Sequence, residues 1–166
     1  MSKCSENPFW QYSLAHYARR EVADTCLNLQ DHCAANVNLL LFCCWLGSRG
    51  ELIEDAQLRV AQALIEEWDR EVVRSLRQVR RFLKQSDLAV ESMVRDVAAL
   101  ELAAERVVQD VLICWWLESA GRTEGAGDGA DYQRENLTRY LHTLDAEVSL
   151  EGSPLLWPLN VPRARG

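Results

Sequence analysis

Between Glu51 and Ala120 the chain contains neither glycine nor proline. Apolar residues recur there by threes and fours. A first run holds Ala61, Leu64, Ile65, Trp68, Val72, Leu76, Val79 and Leu83. A second holds Val90, Met93, Val94, Val97, Leu100, Ala104, Val107, Val108, Val111 and Trp115. This spacing marks amphipathic helices, because positions three and four apart share a face. Gln85-Ser86-Asp87 separates the runs, and Ser86 or Asp87 can cap the second helix. The pattern predicts a long antiparallel helical hairpin with arms over residues 55–84 and 87–119. Each arm would be roughly 45 Å long if unbroken, at ~1.5 Å per residue.

Three shorter helices precede the hairpin. Asn7-Pro8 is a start signal, and Trp10, Leu14 and Tyr17 follow on one face. Val22, Cys26, Leu29 and Cys33 line a second helix. Asn36 can cap a third over residues 37–48, which Gly50 ends. That third helix is apolar on every side, with Leu39, Phe42 and Leu46 on one and Leu41, Cys44 and Trp45 on another. A helix of this kind is buried all round and forms the centre of a fold. The fold class is therefore all-α, an irregular helical bundle built on a long antiparallel helical hairpin with three short N-terminal helices. The expected division is a helical domain over 1–120, a flexible Gly-rich linker over 121–130, a C-terminal helix over 131–149 and a Pro-rich tail over 150–166. No strand pattern and no internal repeat is visible.

Charge adds a register. Residues 70–84 carry six basic side chains against one acidic, and residues 87–118 carry seven acidic against two basic. A fold about Ser86 would set Arg77 near Asp96 and Arg70 near Glu101, each exposed pair contributing only ~0.2–1 kcal/mol.

Several segments together resemble a known family. They are Phe9-Trp10 with Leu14 and Tyr17, the stretch from Cys26 to Asp31, and Asn36-Val37-Asn38-Leu39-Leu40-Leu41-Phe42 with Trp45. Trp68, Glu71-Val72-Val73, Leu76-Arg77, Arg80-Arg81, Leu83-Lys84, Glu101-Leu102 and Ala104-Glu105 continue the likeness. The chain resembles, over roughly residues 7–116, an uncharacterised family of short proteobacterial proteins known as a domain of unknown function. The resemblance implies a bacterial setting and no reaction.

The 166 residues are 48% hydrophobic and 26% charged, which suits one apolar core. A formal net charge of -7 repels nucleic acid and anionic lipid, so neither is an expected partner. Residues 1–7 are polar and no signal-like apolar stretch follows them. The apolar run over 39–46 is too short to span a bilayer. Cys4, Cys26, Cys33, Cys43, Cys44 and Cys114 mostly sit among core-like neighbours, which fits reduced thiols and a cytoplasmic location.

Candidate chemistry is sparse. None of His16, His32 and His142 stands three residues after a glutamate, as a di-iron bundle site needs, and no Cys-x-x-Cys pair occurs. Cys26 and Cys33 sit two turns apart and keep the spacing of a core face, so with His32 they are not read as zinc ligands. His32 and Cys33 are neighbours on a helix and point apart, so they form no nucleophile–base pair. No catalytic residue, metal or cofactor is therefore assigned.

Gln30, Asp31 and Asn38 place polar groups at the edge of the most apolar helix. The simpler account is capping and turn satisfaction. The alternative makes them the lining of a ligand pocket walled by Trp10, Tyr17 and Trp68. Arg74, Arg77, Arg81 and Lys84 step by three and four, either as a face neutralised by the acidic arm or as a docking stripe for an acidic partner. Trp115 and Trp116 cannot both face one core. In the tail, Leu156 and Trp157 lie among prolines that hold the chain extended, and they are expected in an apolar groove of this protein or of a partner.

The leading functional expectation is a non-enzymatic adaptor that binds another protein, with self-association left open. The alternative is a small-molecule-binding protein or enzyme with its pocket beside residues 37–48. A closed, dry surrounding of Asn38 favours the first, and an open cavity lined by Gln30, Asp31 and Asn38 favours the second.

Overall fold

Asn7 and Pro8 open the first helix. The Asn7 backbone is extended, its side-chain oxygen accepts from the Trp10 N–H at 2.9 Å, and Pro8 occupies a first-turn position that has no partner for an N–H. The computed structural model describes residues 7–119, 123–124 and 129–156. In it α1 spans Pro8–Tyr17, α2 Arg20–Cys33 and α3 Val37–Ser48. Ala34 ends α2 in the left-handed region at φ 54°, and the following Ala35 N–H donates back to the Leu29 carbonyl. Asn36 then caps α3 through its side-chain oxygen, which accepts from the N–H groups of Asn38 and Leu39. Every residue of α3 from 38 to 47 is buried, so the all-round apolar helix is the centre of the fold.

The hairpin follows, with differences from the sequence pattern. Its first arm is α4 (Asp55–Trp68), a π-helical turn over Asp69–Val73, and α5 (Arg74–Gln85). The arm is not one unbroken α-helix. Leu58, Ala61, Ile65, Asp69 and Val73 face inward, and the last four are spaced by fours. In an α-helix each such step drifts by about 40°, and a wider turn absorbs the drift, keeping Ile65 and Val73 on the core.

The second arm is α6 (Glu91–Glu118). It begins at Glu91 because Ser86 and Asp87 form the turn instead of capping it. Ser86 Oγ accepts from the Leu88 N–H, and Val90 precedes the helix without a side-chain cap. The longer turn shifts the register. Arg77 meets Glu101 and Glu105 rather than Asp96, and Arg70 pairs with its neighbour Glu71 rather than Glu101.

Downstream of the hairpin, Thr123–Glu124 (β2) pair antiparallel with Glu51–Leu52 (β1), a two-residue ladder inside the stretch read as a flexible linker. α7 spans Gly129–His142. It lies along α3, and no other pair of elements meets so extensively. The approach is close because Gly47 has no side chain. A Cβ there would stand 2.3 Å from the Gln133 backbone nitrogen.

Two polar side chains at this junction are matched, whereas the buried Gln133 amide has no hydrogen-bond partner among the described residues. The buried Asn136 side chain donates to the carbonyls of Cys43 and Glu51 and accepts from the Ile53 N–H. The Tyr140 hydroxyl accepts from the Asn36 N–H at the start of α3. Beyond α7, Leu150 and Leu155 are buried. It is Leu155, rather than Leu156, that enters the core, with Leu156 half-buried against it. Trp157 lies outside the described residues. Trp116 is fully buried, its indole N–H on the Glu51 carboxylate, while Trp115 packs at the core's edge.

Cys26, Cys33, Cys43 and Cys44 are free thiols, and Cys4 lies outside the described residues. Burial pushes the Cys26 thiol up to about 12 and raises those of Cys43 and Cys44 as well. Among the described residues no helix is long and apolar enough to cross a membrane.

Candidate functional site

Three helices converge on the hairpin and leave a half-open cleft of about 420 Å³ between α1, α2, α3, α5 and α6. α1 produces it by turning the wrong face inward. Its buried residues are Phe9, Ser13 and His16, so the apolar face of Trp10, Leu14 and Tyr17 looks into the cleft instead of the core. Leu27, Val37, Leu41 and Leu102 complete the apolar wall.

The polar groups stand at the base. Asn38 is buried, and its side-chain oxygen accepts from Gln109 Nε2 at 2.8 Å. Ser13 Oγ, Gln30 Oε1 and Gln109 Oε1 are buried without a hydrogen-bond partner, and all three residues line the cleft. Buried polar atoms in this state cost about 1–3 kcal/mol each unless water or a ligand meets them.

Charge enters from the hairpin. Glu101 accepts from Arg80 and from Arg77, whose Nη2 also reaches Glu105 at 2.8 Å. Burial raises the Glu101 pKa, but the two guanidinium bonds outweigh it and hold the carboxyl below its usual range. Glu105 goes the other way, because burial outweighs its pairing with Arg77. Burial also raises the Tyr17 phenol. At the rim, Arg106 stacks over Trp10 at 5.1 Å from the ring centroid. Arg81 lines the cleft from the exposed side and, among the described residues, stands in no ion pair.

Of the residues singled out from the sequence, Trp10, Tyr17, Gln30 and Asn38 are brought together here. Asp31 is exposed and does not line the cleft. Trp68 lies on the far side of the hairpin, its indole donating to the Ala104 carbonyl at 3.1 Å. The basic stripe is divided. Arg74 binds the buried Asp69, Arg77 is held by its two glutamates, and Arg81 and Lys84 remain exposed.

Sequence reasoning missed Ser13, Arg80, Glu101, Glu105 and Gln109. A signal for three of them was present, since Glu101, Glu105 and Gln109 step by fours and draw a polar line along one face of the helix. Among the described residues no group of three or more His, Cys, Asp or Glu side chains is placed to hold a metal ion. A smaller hollow of about 210 Å³ continues beyond Gln30, Asn38 and Arg77 towards Asp69 and Arg74.

Set beside known proteins, residues 8–112 match the model of a family described as "Protein of unknown function (DUF2390)". No curated protein and no solved structure matches the chain.

Proposed function

The chain belongs to this family of proteins of unknown function, and from the cleft we propose that it binds a small amphipathic ligand beside α3. The observation that carries the reading is the open cavity at Asn38, where apolar walls surround three buried polar atoms that lack partners. Ligand sites are concave and mostly apolar, with a few polar groups that orient the occupant. Its volume falls within the ~300–1,000 Å³ usual for such sites. The groups awaiting a partner are two amide oxygens and a hydroxyl, which favour a ligand with an N–H or O–H donor. The exposed Arg81 at the rim favours an anionic end, and Trp10, Leu14 and Leu102 favour an apolar body. The carboxylates at the base are engaged by Arg77 and Arg80, which supports binding over turnover. A docking role for the basic stripe has less support, because Arg74 and Arg77 are already neutralised within the chain.

N-acetylphenylalanine carries an aromatic body, an amide N–H and a carboxylate, and it is the probe that tests this reading. At about 0.3 kcal/mol per heavy atom its expected Kd is about 0.1–1 mM, read by tryptophan fluorescence titration. Gln109→Leu should abolish binding. Arg81→Gln should weaken it about tenfold, and the neutral carboxamide analogue should bind weakly to both the parent and the Arg81 variant. The reading fails if neither this probe nor a panel of small aryl and alkyl carboxylates binds, or if binding ignores Gln109.

A further inference from the structure

The hairpin keeps apolar residues on the side away from α3 as well. Val60, Leu64 and Trp68 step by four along α4 and are 45%, 45% and 41% exposed. Met93, Leu100 and Val107 step by seven along α6 and are 47%, 57% and 40% exposed. The Trp68 indole reaches the Ala104 carbonyl, between Leu100 and Val107, so the end of the first row meets the second. Val79 and Phe82 on α5 carry the same exposed character towards the turn. Contiguous apolar surface on this scale is unusual for a monomer and marks a contact face.

We propose that a second copy of this chain covers the face, hairpin against hairpin, as a four-helix layer. Two observations choose that occupant. A seven-residue repeat is the spacing by which one helix meets another along a seam. The exposed apolar side chains offer on the order of 700 Å² per copy, against the roughly 800 Å² per partner that a stable interface buries. A second identical hairpin therefore matches the face in size.

A two-fold axis parallel to the arms sets the first arm of one copy over the second arm of the other.

Sedimentation velocity of the full chain between 1 and 100 µM decides the matter. The expected species is a dimer of the 18.9 kDa chain. Leu100→Glu and, separately, Leu64→Glu should raise the dimer Kd about a hundredfold or more while far-ultraviolet circular dichroism stays unchanged. Hydrogen exchange on the unmodified chain provides a readout that needs no variant. Amides of α4 and α6 should slow between 1 and 100 µM, while those of α2 should not. A monomer at 100 µM overturns the proposal, and so does a monomer that binds anionic vesicles instead. A dimer that survives both substitutions, or that protects other helices, overturns it equally.

Discussion

His16 shows what a single enclosed side chain does to the whole. It has no exposed surface, and its Nε2 stands 3.1 Å from the Leu155 carbonyl oxygen, so that nitrogen carries the hydrogen and donates. Burial disfavours the imidazolium and pushes the pKa down from 6.5 to about 4, against the opposing pull of the Leu155 bond. Between those values the unfolded chain binds more protons than the folded one. Stability is therefore full above pH 6.5 and falls by about 3 kcal/mol as the pH drops to about 4. Urea denaturation across that window should show the loss, and His16→Gln should flatten it. An equal slope in the two proteins would remove the burial argument. The sequence hid this residue for a definite reason. Periodicity in α1 points to Trp10, Leu14 and Tyr17 as the inward face, yet Phe9, Ser13 and His16 are buried, because the carbonyl that satisfies His16 lies 139 positions away. The same inversion concealed the cleft: the aromatic wall was legible in the sequence, but its unmet polar base was not.

Among the elements, the hairpin is tied by a carboxylate shared between two guanidinium groups. Glu101 is 8% exposed, and Arg77 and Arg80 are 14% and 23% exposed. Such enclosure removes much of the screening that reduces surface pairs to ~0.2–1 kcal/mol. A double-mutant cycle of Arg80→Met with Glu101→Gln should give a coupling of about 1–2 kcal/mol by thermal or urea denaturation. The cycle joining Arg77 to Asp96 should give none, and coupling there would restore the register expected from the charge pattern. Local chemistry made the helices readable, since Asn7 and Asn36 cap where their side chains permit. Two features escaped it. The π-helical turn at Asp69–Val73 serves a core face that tertiary packing defines. The turn after Gln85 runs to Val90 because Ser86 bonds forward to Leu88. Periodicity also counts apolar positions without saying which neighbour they meet, so Leu100 and Val108 look alike in sequence although the first is exposed and the second buried.

For the molecule as a whole, the ends of the described chain close the core. Leu155 is fully buried, and its carbonyl receives both His16 and the Cys44 thiol. Removing residues 153–166 should destabilise the fold by about 2–4 kcal/mol, the range for losing a buried leucine. Removing only 157–166, which leaves Leu155 in place, should cost less than that. Equal melting temperatures for the two truncations would mean that Leu155 contributes little. The all-α class was legible because α3 has no polar side to offer solvent. Its partner was not, because Gly47 reads as a helix-weakening residue until α7 is seen lying against it. That contact has a consequence in time. α3 leaves the ribosome about 80 residues before α7 begins, which at about 5–20 residues per second is a wait of roughly 4–16 s. Throughout it the most apolar segment of the nascent chain lacks its main cover. A translation product halted at residue 112 would contain the whole family-matched segment and still be a substrate for chaperones and proteases rather than a shorter working protein.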